Sequence, residues 1–398
     1  MTDAPLYLDH NATTPLLPEV VDAMVRAAGD GFANPASTHA AGRRARRLVE
    51  DARERIAELL GLETGFGRAD RLIFTSGGTE SNNGALEGLL PAATRAGAHL
   101  LISAVEHPSI VGPAQRLEAA GVVVERLPVD RAGRVEPAAM ADRLRPATRL
   151  VAVMLANNET GTVQPIGALA EACRSRGVTT YCDAAQGVGK IDVNFRRLGV
   201  DALGAAAHKF HGPRGIGLLV VRHATVLRPL LVGGFQQEGL RPGTESPMLV
   251  AGCRAALEAA HREGAARRER LTTLRDDFER RLADELPAIV VHARAADRLP
   301  QTSSIAFVGV DRQALFIALD RAGVACSTGS ACASGSSEPS PTLVAMGCPD
   351  EQVSSTIRFS FGVTTTREET SEATRRIVRV YNDLRAAAER RKTASSGR

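Results

Sequence analysis

Helical and strand patterns alternate along this chain, and the alternation limits its possible folds more than any other feature. Residues 42–60 place apolar side chains on one helical face and end at Gly61, a typical helix stop. Short apolar stretches predict strands at residues 71–76, 100–104, 122–127, 150–155, 178–182, 202–206 and 216–221. Since parallel strands need long connections, usually helices, we expect an α/β fold. Its core would be a mostly parallel seven-stranded sheet with helices on both faces.

The pattern changes near residue 248, where a long, charged helical stretch leads into a shorter α+β region. With 398 residues and 44% hydrophobic content, the chain is long enough for more than one hydrophobic core. The sequence therefore predicts three parts: a large domain at residues 15–257, a small α+β domain at residues 1–14 and 258–389, and a disordered tail at residues 390–398.

Charge and cysteine content exclude several classes of function. The chain has 49 Lys and Arg against 45 Asp and Glu, an excess too small to indicate nucleic-acid binding. We expect no membrane contact, because no uncharged apolar run reaches about 18 residues and the N-terminus does not resemble a signal peptide. Six scattered cysteines without a C-x-x-C pair favour a reducing cytoplasm and no dedicated metal site.

Two neighbouring segments offer a carboxylate, an amide, an imidazole and an amine: Asp183, Gln186, His208 and Lys209. Pyridoxal phosphate (PLP) requires such a set, because its aldehyde forms a Schiff base with a lysine and its ring nitrogen needs an acid. Asp183 ends a predicted strand, and ligands of open α/β sheets bind beyond the carboxyl ends of strands. Alone, Lys209 would be an ordinary loop lysine and Asp183 a helix cap. Their combination predicts a PLP site.

Further polar motifs follow other predicted strands. The glycine-rich turn with Gly78 and Thr79 opens a helix, so its backbone amides and hydroxyl suit a phosphate. His208 is a second candidate phosphate donor. His107 is placed to stack on the pyridine ring and to move protons, although a hydrogen-bonded loop histidine is the alternative. Asn158 is expected to contact the cofactor ring or the substrate.

A run of small residues, 327–337, surrounds Cys332. Such a run packs poorly as a core element, so we expect Cys332 to be a nucleophilic thiol on a mobile loop and not a buried inert one. The thiol and the PLP site together indicate sulfur chemistry. Cys326 is given no catalytic role.

With these motifs the chain resembles the cysteine desulfurases, PLP enzymes of the class V aminotransferase group with fold type I architecture. The resemblance covers nearly the whole chain and is carried by residues 7–14, 34–37, 77–81, 106–107, 157–161, 183–186, 208–209, 241–245 and 355–360. The Cys332 loop, with residues 338–340, is similar to the longer loop of the nitrogen-fixation and iron–sulfur-cluster branch.

The resemblance implies a role for each matching residue. Lys209 would form the Schiff base, Asp183 would hold the ring nitrogen, Gln186 would hold the phenolate oxygen, and His107 would stack on the ring. The phosphate would be held by Gly78, Thr79 and His208, and by Thr244 of the other subunit of a homodimer. The guanidinium of Arg358 would bind the substrate carboxylate through two hydrogen bonds, with Asn34 nearby.

The implied reaction converts L-cysteine to L-alanine. The substrate displaces Lys209, the freed amine removes the α-proton, and Cys332 attacks the substrate sulfur and becomes a persulfide. The sulfur then passes to an acceptor protein for iron–sulfur clusters, other sulfur cofactors or thionucleosides. No metal is expected, apart from a transient contact between Cys332 and an iron–sulfur cluster.

One departure from the family pattern lies at Ala206, where the family usually has a serine that binds the phosphate. We expect PLP to bind more weakly, because a lost hydrogen bond to a charged group can cost about 1.5–3 kcal/mol of binding free energy. The chemistry itself should not be lost. Three alternatives stay open from the sequence: a selenocysteine lyase, another class V PLP enzyme, and a non-enzymatic homologue that serves as a binding partner.

Overall fold

The computed structural model describes residues 5–65, 67–90, 92–329 and 338–396, with the backbone alone for residues 92 and 391–396. The strands are β1 (Leu6–Tyr7), β2 (Arg71–Thr75), β3 (His99–Ser103), β4 (Val123–Leu127), β5 (Thr148–Ala152), β6 (Thr179–Asp183), β7 (Ala202–Ala206), β8 (Gly217–Val221), β9 (Ile289–Val291), β10 (Thr302–Phe307), β11 (Val324–Ala325) and β12 (Thr356–Ser360).

Helices connect most of these strands. They are α1 (Pro18–Asp30), α2 (Ala40–Leu59), α3 (Gly78–Leu89), α4 (Pro108–Ala119), α5 (Pro137–Ala141), α6 (Ile166–Arg174), α7 (Phe195–Leu198), α8 (Pro247–Glu285), α9 (Arg312–Arg321), α10 (Pro341–Ala345), α11 (Asp350–Val353) and α12 (Arg367–Ser396). Short 3-10 turns lie at Ala92–Thr94, Ala207–Lys209 and Gln236–Gly239. Across the described residues, no helix is long and apolar enough to span a bilayer.

The predicted seven-stranded, mostly parallel sheet is confirmed. Its strand order is β2-β8-β7-β6-β5-β3-β4. β8 runs antiparallel to both of its neighbours, and the remaining pairs are parallel. All seven sequence-predicted strands are present, with ends that differ by three residues at most.

Apolar side chains cover both faces of this sheet, because neighbouring residues of a strand point to opposite sides. In β5, Leu150 and Ala152 pack with α3 and α4, whereas Val151 packs with α2, α6 and the start of α8. Burial on two faces explains the near-continuous apolar strands of the sequence. It also leaves the strand ends as the natural place for polar side chains.

A second apolar cluster forms around β10, β12 and the later part of α8. Its centre is a set of edge-to-face aromatic rings, with Phe278 lying 5.2 Å from Phe359 and 5.3 Å from Phe361 between ring centroids. The N-terminal arm joins this cluster, since β1 pairs with β11 and Leu6 and Leu8 are buried in it. The proposed domain division stays a prediction; α8 continues without a break across residue 257.

The disordered tail proposed at residues 390–398 stays a prediction. Helix α12 continues through residue 390 to Ser396. Its last turns are rich in Arg, Lys and Ala, which are strong helix formers, so the helix that begins at Arg367 can propagate into them.

Candidate active site

A cavity of about 230 Å³ lies beyond the carboxyl ends of the parallel strands. Asp183, the last residue of β6, contributes the carboxylate, and the 3-10 turn that follows β7 contributes His208 and Lys209. The start of α3 and the residue Arg358 of β12 close two other sides. Because parallel strands bring their carboxyl ends to one edge of the sheet, side chains distant in sequence meet there.

The Asp183 carboxylate is fixed by two donors. Asn82 donates from Nδ2 to Oδ2 at 2.7 Å, and the backbone amide of Ala185 donates to Oδ1 at 2.9 Å. The oxygen of the Asn82 side-chain amide accepts from the Tyr181 hydroxyl at 2.5 Å. This buried arrangement holds the Asp183 carboxylate in one orientation at the cavity wall.

His107 belongs to the same network. Asn82 also donates to the Ser109 hydroxyl at 2.7 Å, and that hydroxyl lies 2.7 Å from Nδ1 of His107. Nδ1 accepts from the Ser109 amide at 3.1 Å, so the His107 side chain caps helix α4 and, when neutral, carries its proton on Nε2. Burial lowers the pKa of His107, and the positive charges of Lys209 and Arg358 lower it further, whereas Asp183 raises it. His107 is therefore neutral near pH 7.

The Lys209 amine points to the N-terminal arm of the chain. Its Nζ donates to the backbone carbonyls of Asn11 at 2.7 Å and Ala12 at 2.9 Å. Gln186 donates to the same Asn11 carbonyl at 3.0 Å. A second amine, that of Lys190, donates to Gln186 Oε1 and lies 3.5 Å from Asn11 Oδ1; burial and the charge of Lys209 lower its pKa. The arm thus positions both amines.

Helix α3 presents its N-terminus to the opposite end of the cavity. Gly78 and Thr79 lie in its first turn, where backbone amides lack helical partners and attract anions. A Cβ added to Gly78 would lie 3.4 Å from Cβ of Ala206, so residue 206 faces this anion-binding turn. His208 lies nearby, with Nδ1 3.2 Å from the Thr13 hydroxyl, and burial lowers its pKa to about 4. A neutral His208 can still donate one N–H to a phosphate.

Arg358 is buried and contributes a positively charged guanidinium to the cavity lining. It donates from Nη1 to the Asn158 carbonyl at 3.0 Å and from Nη2 to Asp9 at 2.7 Å. Its Nε has no hydrogen-bond partner among the described residues. A guanidinium in the lining of the cavity is suited to bind a carboxylate.

Glu106 lies behind the cavity, next to His107. Its Oε1 accepts from the Ser103 hydroxyl and from the Met154 amide at 2.8 Å, whereas Oε2 has no partner in the part of the chain that is described. Burial raises the pKa of Glu106 to about 8, and the charge of Asp183 contributes to the rise. The carboxyl group is therefore mainly protonated at pH 7.

Replacing Glu106 by Gln is expected to flatten the pH dependence of stability. Between the ordinary pKa of 4.5 and about 8, the unfolded chain has lost this proton while the folded chain keeps it, so stability falls as pH rises. The slope from this group is at most about 1.4 kcal/mol per pH unit. Thermal midpoints measured from pH 5 to pH 8 check this, with the exposed Glu118→Gln as control. Parallel curves for Glu106→Gln and the unmodified protein would contradict it.

The structure brings most of the predicted site residues together around the one cavity: Gly78, Thr79, His107, Asn158, Asp183, Gln186, His208, Lys209 and Arg358. Asn34 does not line the cavity within a single chain, because its exposed side chain accepts from the Ala36 amide at 2.9 Å. Thr244 is exposed and also lies outside the lining. Cys332 lies outside the described residues.

Sequence reasoning missed three residues that organise the site: Asn11, Asn82 and Ser109. Asn82 follows Gly78 by four residues and so shares its helix face, a signal that was available. Asn11 and Ser109 gain their roles from contacts between distant segments. Asn157, in contrast, shapes the turn before Asn158, since its Oδ1 accepts from the amides of residues 159 and 160. Among the described residues, no cluster of His, Cys, Asp and Glu is arranged to hold a metal ion.

Comparison with known proteins places this geometry in a family. The family model for aminotransferase class-V matches residues 6–372. Cysteine desulfurase IscS of Dictyoglomus turgidum is 41% identical over 380 residues, covering 96% of this chain and 95% of that protein. A solved NifS-like protein has a TM-score of 0.88 at 29% identity, covering 96% of this chain and 100% of its own.

A further solved structure, SspA in complex with cysteine, has a TM-score of 0.78 at 29% identity and covers 90% of this chain and 99% of that one. The expected fold type I architecture is confirmed by these neighbours. The chain belongs to the class V aminotransferase family and, within it, to the cysteine desulfurases.

Proposed function

We propose that this protein is a PLP-dependent sulfurtransferase that converts L-cysteine to L-alanine and takes up the sulfur on Cys332. One observation carries the proposal: a single cavity joins the Lys209 amine, the Asp183 carboxylate and the Arg358 guanidinium. The relatives named cysteine desulfurase and the SspA structure with bound cysteine support the same substrate.

The residues of the cavity fit PLP at each of its functional groups. Lys209 would hold the aldehyde carbon, Asp183 the ring nitrogen, and Gln186 the phenolate oxygen. The amides of the α3 N-terminus, the Thr79 hydroxyl and His208 would hold the phosphate. When bound, the protonated ring withdraws electrons from the substrate α-carbon.

The protein's own side chains perform the remaining steps. Arg358 would bind the substrate carboxylate, and its burial strengthens that interaction. Lys209, once released, would remove the α-proton while the Asn11 and Ala12 carbonyls limit where its amine can move. His107 would donate its Nε2 proton or take one up near the reacting atoms.

Sulfur transfer requires one bond to form and one to break. The Cys332 thiolate attacks the substrate sulfur, and a new S–S bond forms as the Cβ–S bond breaks. The electron pair of the broken bond stays on the substrate Cβ, which is then protonated. The proton that Lys209 took from Cα would return there before L-alanine leaves. The enzyme retains the sulfur as a persulfide for an acceptor protein.

The decisive experiment is mass spectrometry of Cys332 after incubation with L-cysteine, together with measurement of alanine. A mass gain of one sulfur atom and release of alanine would support the proposal. Amino exchange with a keto acid would indicate another class V enzyme, and strong preference for selenocysteine would indicate a lyase. A colourless protein that borohydride leaves unchanged after PLP addition would indicate a non-enzymatic homologue.

Ala206→Ser is expected to tighten PLP binding about tenfold or more, because a hydroxyl beside the α3 N-terminus adds a hydrogen bond to the phosphate. The dissociation constant, measured by absorbance titration of the apoprotein, checks this. Ala205→Ser is the matched control, since residue 205 points to the opposite face of β7 and is buried in the apolar core. Equal PLP affinity of the two variants would contradict the prediction.

We also propose a homodimer in which Thr244 reaches the phosphate site of the partner. Thr244 lies on a surface segment fixed by ion pairs on either side, Arg241 with Glu80 at 2.9 Å and Glu245 with Arg53 at 3.1 Å. The nearby side chains of Val232 and Phe235 are 90% and 94% exposed, which favours a covering partner. Analytical ultracentrifugation tests the dimer, and a monomer at micromolar concentration would contradict it.

The cellular setting belongs to the same proposal. The five described cysteines are free thiols, as is usual in a reducing cytoplasm. The acceptor would be an iron–sulfur scaffold or a sulfur-relay protein; adding candidate acceptors to the Cys332 persulfide and following loss of the extra sulfur would identify it.

A further inference from the structure

A second cavity, of about 250 Å³, borders the active-site cavity at Lys209, which lines both. It lies between two apolar regions. The core of the main sheet contributes Phe210 and Leu257 to its lining, and the second apolar cluster contributes Leu271 and Phe361. The proposed function assigns no role to this space, although it is as large as the cavity that would hold PLP.

The polar part of this lining is strongly basic. In the described part of the chain, one carboxylate lines the cavity, that of Asp192. The Asp192 carboxylate is already engaged from outside the lining, since Arg197 donates to its Oδ2 at 2.5 Å. The lysine and arginine side chains that line the cavity are Lys190, Lys209, Arg267 and Arg268. The cavity therefore has a clear excess of positive charge.

Two arginines of α8 keep donors free for a ligand. Arg267 is only 8% exposed, and its Nε donates to Glu263 at 2.8 Å, but neither Nη atom has a partner among the described residues. Arg268 likewise has no hydrogen-bond partner within residues 5–65, 67–90, 92–329 and 338–396. Because buried charged donors are costly without an acceptor, these guanidinium groups are suited to meet an anion in the cavity.

Two buried histidines of the lining experience the same excess of positive charge. The pKa of His10 is lowered to about 3, mainly by burial and further by His211 and Lys190. The pKa of His211 is lowered to about 4, mainly by burial and further by Arg267 and Lys190, although a hydrogen bond to the Pro15 carbonyl opposes the change. Among the described residues, no carboxylate contributes to either shift. An anion would supply the missing negative charge.

The two lysines connect this cavity to the PLP site. The Lys190 amine donates to Gln186 Oε1 and lies 3.5 Å from Asn11 Oδ1, which leaves one of its three N–H groups without a partner in the described ranges. Gln186 lines the active-site cavity, where it would hold the phenolate oxygen of PLP. An anion beside Lys190 and Lys209 would attract both amines, so its charge would be felt at the cofactor.

We propose that the second cavity is a binding site for a small oxyanion, held by Arg267, Arg268 and Lys190, and that its occupancy is coupled to the PLP site through Lys190 and Lys209. The ligand would be a small molecule that carries a phosphate or carboxylate group. Binding itself goes beyond the proposed function and depends only on these side chains, whereas the coupling rests on PLP being bound.

The test uses the PLP-loaded protein, so that PLP occupies the anion-binding turn at the start of α3. Inorganic phosphate and succinate are titrated separately by calorimetry at constant ionic strength, which holds weak surface binding constant. We expect one site with a dissociation constant of about 1 mM or lower for at least one of the two anions. The absorbance of the bound PLP should change with the same half-saturation. Tighter binding of phosphate would indicate a phosphorylated ligand, and tighter binding of succinate a carboxylic acid.

Three variants of α8 separate a specific site from general attraction of anions. Gly264 lines the cavity, and a Cβ added to it would lie 3.5 Å from Arg268 Nη1, so Gly264→Leu fills the space without removing a charge. Leucine is also the better helix former, so this variant should fold. Gly264→Leu and Arg267→Met are each expected to weaken binding about tenfold or more. Arg262→Met is the matched control, since Arg262 is exposed on the same helix and pairs with Glu19 at 2.8 Å.

The anion site is refuted if neither anion binds with a dissociation constant below about 10 mM. It is also refuted if Gly264→Leu and Arg267→Met bind as tightly as the Arg262→Met control. Unchanged PLP absorbance at a saturating anion concentration would refute the coupling. If the protein takes up no PLP, the proposed function is wrong, yet the difference between the unmodified protein and Gly264→Leu still tests the anion site, because the start of α3 is the same in both.

Discussion

Lys209→Ala is expected to abolish alanine formation from L-cysteine, with a fall in kcat of about 10⁴-fold or more. The same amine would carry PLP and then remove the α-proton, so its loss removes both covalent attachment and base catalysis. Borohydride reduction followed by mass spectrometry should locate PLP on residue 209 of the unmodified protein and nowhere on the variant. Alanine release measured over several hours gives the residual rate.

Few other amines can replace Lys209, because the chain contains three lysines: Lys190, Lys209 and Lys392. Lys190 lies nearest, but its amine is held by the side chains of Gln186 and Asn11. Lys190→Met is the informative control: it should keep the PLP bond at Lys209, while shifting the absorbance of the bound PLP through loss of the amine that donates to Gln186. Turnover by Lys209→Ala above about 1% of the unmodified rate would contradict the assigned role.

The main sheet and most of the site could be predicted from sequence for one physical reason. A strand buried on both faces reads as an apolar run, and a polar residue directly after such a run must lie at the sheet edge. Asp183, Lys209 and Asn158 all follow strands in this way, and all line the cavity. The antiparallel direction of β8 has no comparable signature, because a buried strand looks alike in both directions.

The contacts that orient these side chains were beyond the sequence pattern. Asn11 meets Lys209 across 198 residues, and Asn82 meets Asp183 across 101. No local periodicity reports such pairs. Asn34 and Thr244 show that a sequence motif does not say which subunit's cavity a residue serves. Both belong to motifs of the family, yet neither lines the cavity of its own chain. For Thr244 a second subunit accounts for this in the proposed dimer.

The proposed role of Cys332 raises the question of whether another thiol could accept sulfur in its place. Five other cysteines are described: Cys173, Cys182, Cys253, Cys326 and Cys348. Burial raises the pKa of every one of them above the ordinary value for a thiol. Since the thiolate is the reactive form, none of these five is suited to attack a substrate sulfur near pH 7.

Cys332→Ser is therefore expected to lose the persulfide entirely and to lower alanine release by at least about 10³-fold, because a hydroxyl cannot take up sulfur and no other thiol compensates. PLP absorbance and its change on adding L-cysteine should persist, since the cavity residues are untouched. Cys348→Ser, which removes a half-buried thiol 3.8 Å from the His292 ring, is the matched control and should retain activity. A persulfide on Cys326 or Cys348 in the Cys332→Ser protein would show that burial does not silence those thiols. Full alanine release without any protein persulfide would mean that sulfur leaves the substrate without passing through the protein.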